Sequence, residues 1–321
     1  MPQTDLLIIG AGPTGLFAAY YAGFRGLSVA VVDSLPELGG QITAMYPEKA
    51  IMDVAGFPSI KGRDLVAGLV AQAQTANPAY FLDRTAQTLT HEGERVVVGL
   101  DDGTRIDAGA VMITAGIGKF SPRALPAGEG WVGRGLDFFV PSFAPYAGKD
   151  VVIVGGGDSA FDWAQQLEPM AASVTLVHRR DAFRAHERTV AMVRDSSVEI
   201  ITKAQVTALR GNVRVEEVEI LIDGQEPMVR PAQAVVAALG FIADLGALQT
   251  WGITTDKRHV VVDSAMRTNL PRVFAAGDIT EYPGKVRLIA VGFGEAATAV
   301  NNAAVAIDPT AHVFPGHSSE L

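Results

Sequence analysis

Three glycines, Gly10, Gly12 and Gly15, follow the apolar run Leu6-Leu7-Ile8-Ile9, and an acid, Asp33, closes the next largely apolar run, Leu27-Ser28-Val29-Ala30-Val31-Val32. These residue types at this spacing suit one kind of chemistry. Gly10 lets the chain turn sharply off a buried strand, and Gly12, which has no Cβ, lets backbone approach a pyrophosphate. Gly15 allows the following helix to sit tight against the strand, with its N-terminal N–H groups aimed at the phosphates. Asp33 then stands where a ribose hydroxyl needs an acceptor. A glycine triplet alone matches many ordinary βαβ turns by chance. Strand, glycines, helix, second strand and terminal acid together predict a dinucleotide site.

A second constellation repeats the first with one change. Asp150-Val151-Val152-Ile153-Val154 leads into Gly155-Gly156-Gly157-Asp158-Ser159-Ala160, with Ala160 in place of the third glycine. Its partner strand, Ser173-Val174-Thr175-Leu176-Val177, ends in His178-Arg179-Arg180, and Arg184 follows one helical turn further on. Gly10 to Asp33 is 23 residues and Gly155 to Arg179 is 24, so the spacing matches while the terminal charge inverts. A carboxylate accepts from a free 2′-hydroxyl and repels a 2′-phosphate, whereas guanidinium holds phosphate bidentately. The first site therefore suits an adenosine ribose with a free 2′-OH, as in FAD or NAD, and the second suits NADP. The plainer reading of Arg179 and Arg180 is a solvated charge pair. The candidate contacts of the second nucleotide are Gly155, Gly157, Asp158, Ser159, His178, Arg179, Arg180 and Arg184.

The elements that must position these groups follow from the rest of the pattern. Ser34-Leu35-Pro36-Glu37-Leu38-Gly39-Gly40-Gln41 is a turn-rich loop. It is either a connector or a passage over a cofactor, with Gly40 permitting close approach and Gln41 offering an amide. Tyr46, in the irregular segment beyond, either packs on the surface or stacks on a flavin. Residues 62–76 are predicted helical, with Leu65, Leu69 and Val70 on one face. Strands are expected near 81–85 and 96–100, with Asp101-Asp102-Gly103 as a hairpin turn. Val111-Met112-Ile113-Thr114-Ala115-Gly116 is an apolar strand stopped by small residues, and Ala234-Val235-Val236-Ala237-Ala238-Leu239-Gly240 echoes it. With strands near 216–222 and 228–230, this amounts to duplication at domain scale. A last strand near 272–276 runs into Gly277-Asp278, and 289–306 reads as a small-residue helix. Asp278 can reach a polyol hydroxyl or cap the turn after it.

Composition narrows the function classes. The 321 residues are 48% hydrophobic and 19% charged, the totals of a soluble enzyme of about two domains on a prior of ~150 residues each. No apolar stretch approaches the ~18–20 residues of a membrane span. The glycine loop begins where a signal peptide would need its apolar region, so a cytoplasmic location is expected. The chain has no cysteine, which excludes disulfides, thiolate nucleophiles and iron–sulfur clusters, so redox chemistry must come from a bound organic cofactor. A formal charge of −9 argues against nucleic-acid or anionic-membrane binding. The six histidines are scattered without ligand spacing, and no metal site is expected.

The two glycine loops, Thr114-Ala115-Gly116 and Ala276-Gly277-Asp278 resemble the two-dinucleotide-domain flavoproteins. More narrowly, Gly39-Gly40-Gln41, Tyr46-Pro47-Glu48-Lys49, Val54-Ala55-Gly56-Phe57-Pro58 and Gly292-Phe293-Gly294-Glu295-Ala296 resemble ferredoxin–NADP⁺ reductases of the thioredoxin-reductase-like type. The resemblance implies an α/β fold of two Rossmann-like, three-layer ββα dinucleotide-binding domains. The NADPH domain (118–245) would be inserted into a discontinuous FAD domain (1–117 and 246–321). It also implies that Thr14, Asp33, Gln41, Ala86 and Phe120 contact FAD, Ala86 through its backbone, and that Asp278 holds the ribitol. Tyr46 would stack on one face of the isoalloxazine. His317, in a C-terminal extension, would cover the other face from the partner subunit of a homodimer, with Ser318 or Ser319 near the ring. Two departures stand out. Thioredoxin reductases proper carry a Cys-x-x-Cys pair where this chain has Phe138-Phe139-Val140-Pro141, so electrons must leave directly from the flavin. Asp33 stands where relatives often have glutamate.

The expected activity is therefore NADPH-dependent, FAD-mediated reduction of ferredoxin or flavodoxin, with Tyr46 and His317 flanking the reacting ring. An acidic partner needs a local basic patch despite the overall negative charge, and Lys49, Lys61 and Arg63 are the candidates. The rivals are an NADPH diaphorase or oxidase acting on a small acceptor, and a flavin-bound sensor without turnover.

Overall fold

The apolar runs that precede each glycine loop are flanked by apolar strands, so they are buried on both faces, as strands of parallel sheets are. The structure, a computed structural model, describes every residue except Ile117, Pro315 and 317–321, and only the backbone of Lys119, Phe120 and Ala243. The chain separates into two compact units, one of residues Met1–Phe120 with Ala243–Leu321 and one of Ser121–Ile242. Each is an α/β unit with its own hydrophobic core.

In the first unit, strand β1 (Gln3–Ile9) leads through the glycine loop to helix α1 (Pro13–Phe24) and strand β2 (Val29–Val32). β1 lies between β2 and the strand Arg105–Ile113, parallel to both, with Ile9 level with Val32 and Ile113. The Arg105–Ile113 strand serves two neighbours on its other side. Its first half pairs antiparallel with Arg95–Leu100, and its last three residues pair parallel with Val273–Ala275. The late segment is thus stitched into the sheet begun at the N-terminus. Short helix α2 (Gln41–Met45) and helix α3 (Gly62–Gln74) follow β2 in sequence, and α3 buries Leu65, Val66 and Leu69.

The second unit repeats the plan. Its five parallel strands run in the order Leu136–Asp137, Ala234–Ala237, Asp150–Val154, Ser173–Val177, Glu199–Ile201. Helix α4 (Asp158–Leu167) follows the second glycine loop, and α5 (Glu187–Arg194) follows the arginine segment. An antiparallel layer of Ala204–Gly211, Val215–Ile222 and Met228–Pro231 completes the ββα arrangement. Helix α6 (Ile289–Ile307) closes the first unit against α1, where Asn301 Nδ2 donates to the Tyr21 hydroxyl at 3.2 Å.

Two expectations shift at their edges. The strand expected near 81–85 is divided into Ala79–Phe81 and Ala86–Glu92. Asp83 between them sits at φ +53°, a left-handed conformation that short polar side chains tolerate and strands do not contain. Gln41 begins a helix rather than ending a loop.

Candidate functional site

Ligands of open α/β sheets gather at the carboxyl ends of parallel strands, at the point where strand order reverses. In the first unit that edge collects Gly10 after β1, Asp33 after β2, Thr114 after Arg105–Ile113, and Gly277-Asp278 after Val273–Ala275. Gly10 lies at φ +114°, and a Cβ there would come within 2.5 Å of the Thr114 carbonyl oxygen. A Cβ on Gly15 would lie 1.8 Å from the Gly10 carbonyl oxygen, so only glycine lets α1 approach β1 this closely. A Cβ on Gly12 would meet nothing within 4 Å, which leaves open space over the loop on the side where a pyrophosphate would lie. Thr114 locks the loop from the neighbouring strand, its hydroxyl donating to the Gly10 carbonyl at 2.7 Å.

Asp33 is only 9% exposed and is already engaged by the loop it faces. Its Oδ2 accepts the Ala11 N–H at 2.6 Å and its Oδ1 the Leu35 N–H at 2.8 Å. Burial raises its carboxyl above the ordinary value, and these two backbone bonds pull the other way. A carboxylate has about four acceptor positions, so two remain for ribose hydroxyls. The Asp33 carbonyl accepts from Arg84 N–H at 3.0 Å, which brings the chain leading to Ala86 alongside the acid.

Gly40, at φ +58°, passes so close to Gly12 that a Cβ would come within 2.9 Å of the Gly12 Cα. Gln41 Nε2 lies 2.8 Å from where a Gly116 Cβ would be, so its amide reaches the Thr114-Ala115-Gly116 turn. Tyr46 is half-buried at the end of α2. Its phenol is pushed up to about 12, by burial first and then by the charges of Asp278 and Asp53. Tyr46 and Asp278, far apart in sequence, therefore share one environment. Thr14 sits beside Gly277 and Gly292, its Oγ1 2.8 and 2.5 Å from where their Cβ atoms would be.

Asp278 is half-buried, and among the described residues its carboxylate accepts no hydrogen bond. The turn after it is closed instead by Thr280, whose N–H and hydroxyl both donate to the Gly277 carbonyl. Of the two roles open to Asp278, the cap falls away. Burial raises its carboxyl, opposed by the nearby cations of Lys285 and Arg287. A half-buried acid without a hydrogen-bond partner among the described residues, beside an open glycine loop, is the acceptor that a polyol hydroxyl requires, and the residues fit FAD.

The second unit holds a cleft of about 960 Å³. Gly155, Gly157, Asp158 and Ser159 line one wall, the His178-Arg179-Arg180 segment and Arg184 another, and Arg123 also lines it. Arg179, Arg180 and Arg184 are exposed and form no ion pair or side-chain hydrogen bond among the described residues. Gly157 again leaves open space where a Cβ would be. Gly156 does not, because the His178 ring lies over it, 2.3–2.5 Å from a would-be Cβ. Burial holds the His178 imidazole below its ordinary value, and the arginine charges act in the same direction. It is a neutral ring set against the glycine loop and tilted on Phe183 at 5.5 Å, while the cationic work falls to the arginines. Asp158 Oδ1 accepts the His186 N–H at 2.8 Å and so ties α4 to the start of α5. Three uncommitted guanidinium groups beside an open glycine loop fit a phosphorylated dinucleotide.

Of the remaining sequence-predicted residues, His317, Ser318 and Ser319 lie outside the described residues, and Phe120 is described by backbone alone. Lys61 and Arg63 do converge, but on Glu48, at 3.3 and 2.5 Å, so part of their charge is already balanced. Lys49 lies over the Tyr46 ring at 5.8 Å. No group of three or more potential metal ligands occurs among the described residues, nor does a helix long and apolar enough to cross a membrane. Residues that sequence reasoning left without a role are Thr114, Arg123, Lys285 and Glu295; only Thr114 and Glu295 stood in motifs already singled out.

The whole arrangement matches known proteins. The family model of the pyridine nucleotide-disulphide oxidoreductases matches residues 4–304. A ferredoxin–NADP reductase of Nocardioides sp. is 78% identical over 99% of this chain and 97% of its own length. One from Halalkalibacterium halodurans is 48% identical over 99% and 97%. Among solved structures, thioredoxin reductase from T. acidophilum superposes with a TM-score of 0.80 at 27% identity, covering 94% of this chain and 97% of that one. This chain, which has no thiol of its own, belongs to the pyridine nucleotide-disulphide oxidoreductase family.

Proposed function

We propose that this chain is an FAD-dependent reductase that passes electrons between NADPH and ferredoxin or flavodoxin. The observation that carries the reading is the pairing, in one thiol-free chain, of an acid-closed glycine loop with an arginine-closed one. Relatives named ferredoxin–NADP reductase over nearly their full length support the choice of acceptor. When bound, FAD supplies the redox chemistry, accepting hydride from NADPH and releasing electrons singly to a one-electron carrier.

The protein's part is to bind and orient. Gly10, Gly12 and Gly15 admit the pyrophosphate to the N-terminus of α1, with Thr14 beside it. Asp33 takes ribose hydroxyls on the acceptor positions its two backbone donors leave, and Ala86 presents backbone to the adenine. Gly40 and Gln41 close over the cofactor, and Asp278 accepts from the ribitol. Tyr46 would stack on the isoalloxazine, and its raised phenol stays protonated at neutral pH, so it would add no charge beside the ring. Phe120 would contact the cofactor, and His317, with Ser318 or Ser319, would contact the ring from the partner subunit of a homodimer. Gly155, Gly157, Asp158 and Ser159 seat the NADPH pyrophosphate, His178 buttresses their loop, and Arg179, Arg180 and Arg184 hold the 2′-phosphate. The nucleotide domains are assigned to 1–117, 118–245 and 246–321, each boundary within three residues of the edges of the compact units, and the enzyme works in the cytoplasm.

Anaerobic NADPH should bleach the visible flavin band of the purified protein, and oxidised ferredoxin should restore it. No bleaching would remove the reductase reading. Restoration by a small quinone or oxygen alone, with cytochrome c reduction indifferent to ferredoxin, would leave the reductase and remove its acceptor.

A further inference from the structure

Behind the Gly277 turn lies a buried polar cluster that none of the roles above uses. We infer that Lys285 and Glu295 form a bracket that fixes the backbone of Gly277 and so positions the carboxylate of Asp278 for the cofactor. The inference rests on the reading of Asp278 as a contact of bound FAD.

The two side chains are 1% and 5% exposed, and Lys285 Nζ lies 2.5 Å from Glu295 Oε1. They hold both polar groups of one residue. Glu295 Oε2 accepts the Gly277 N–H at 2.7 Å, and Lys285 Nζ donates to the Gly277 carbonyl at 2.9 Å. Tyr282 donates its hydroxyl to Glu295 Oε1 at 2.5 Å, and the Thr280 hydroxyl, whose proton goes to the Gly277 carbonyl, lies 3.3 Å from Oε2. Every charge in the cluster is thereby matched.

Gly277 lies at φ +84°, a conformation open to glycine and to few other residues, so its own backbone restrains the turn weakly. Restraint has to come from outside the residue, and the bracket supplies it alone at the Gly277 N–H and jointly with Thr280 at the Gly277 carbonyl. Asp278 is the next residue, and among the described residues its carboxylate has no hydrogen bond to hold it. Taking two charges out of water is costly, and an apolar pair of the same volume usually stabilises a fold as well or better. The pair's presence is better explained by where it holds the chain than by stability.

The test compares flavin-stripped wild-type protein with K285M/E295Q and with Y282F, which removes one donor and no charge. FAD affinity is read by quenching of flavin fluorescence, the environment of bound flavin by its visible circular dichroism, and the apoprotein by thermal unfolding. K285M/E295Q is expected to weaken FAD binding by at least about tenfold and to alter the dichroism, with apoprotein melting nearly unchanged. Y282F is expected to weaken binding by about threefold, and it carries the test alone if the double variant does not fold. Unchanged affinity and dichroism in each variant that folds would overturn the bracket. So would a lower melting temperature with unchanged affinity, which is the mark of a purely structural pair. If wild-type apoprotein itself takes up no FAD, the parent reading fails and the bracket with it.

Discussion

Asp33 and Arg179 stand at corresponding ends of the two glycine-loop motifs, and their surroundings differ as much as their charges. Asp33 is buried, and both its oxygens hold backbone N–H groups of the loop and the turn beside it. Arg179, with Arg180 and Arg184, is exposed and has no ion pair or side-chain hydrogen bond among the described residues. An acceptor for neutral hydroxyls can be built into the fold, because loop N–H groups offset the cost of burying it. A receptor for a doubly charged phosphate must keep its cations unspent until the ligand arrives. The first arrangement favours a group that is retained, and the second favours one that enters and leaves on every turnover.

The sharpest way to break this contrast is at Asp33. Asp33→Ala strips the acceptor from two backbone donors, each costing about 1–3 kcal/mol when left unsatisfied in a buried site, as well as the ribose contacts. The protein is expected to purify largely free of flavin, as read from the ratio of visible to ultraviolet absorbance. Full flavin content would show that the acid is dispensable. At the other end, R179A/R180A should fold and hold flavin normally while KM for NADPH rises roughly tenfold per arginine and KM for NADH stays put. Steady-state kinetics with both nucleotides decides it. An equal rise for both would place the arginines on the shared pyrophosphate rather than on the 2′-phosphate.

Asp278 tests whether an acid kept for a ligand burdens the empty protein. Burial raises its carboxyl in the folded state above the ordinary value of 3.8. A carboxyl of that sign contributes stability that is fully present below the unfolded pKa and is lost as pH rises through the folded pKa. At neutral pH the ionised, unpartnered group is therefore a cost. Asp278→Asn should raise the apoprotein melting temperature by about 2–4 °C at neutral pH while weakening FAD binding. The gain should fade as pH falls through the folded pKa and vanish below 3.8. A pH-independent gain would mean that the effect is not titration of this group.

What could be read in advance follows the same division. Gly10, Gly15 and Gly277 were legible because close approach or positive φ admits almost no other residue, so the type itself carries the geometry. Asp33 and Arg179 were legible because each follows an apolar strand, by one and two residues, at nearly the same distance from its glycines. Glu295 was not. It sits within a small-residue helix, where an acid reads as a solvent-facing position, and its partner Lys285 lies before the helix in an irregular segment. Only packing shows that the two meet out of water. The same holds for the partition at Asp83, since a left-handed aspartate leaves no periodic trace.

The smallest expected effect concerns the basic patch. Lys61 and Arg63 come together because the short Ala50–Ile51 and Ile60–Lys61 strands pair, with Ala50 opposite Lys61, yet Glu48 takes up both cations. Exposed pairs of this kind contribute about 0–1 kcal/mol to stability, so their removal should scarcely touch the fold. Charge near a docking face acts instead on encounter rate, and it is screened by salt. Glu48→Gln frees Lys61 and leaves Arg63 only its longer pair with Asp64 at 3.8 Å, and stopped-flow reduction of ferredoxin at low ionic strength should quicken by about two- to threefold. The difference should shrink toward nothing at high salt, where the Debye length falls to about 3 Å. K61A/R63A should shift the rate the other way. If neither variant alters the salt dependence, the acidic carrier docks elsewhere, and the patch is only the outer face of the segment that carries Tyr46.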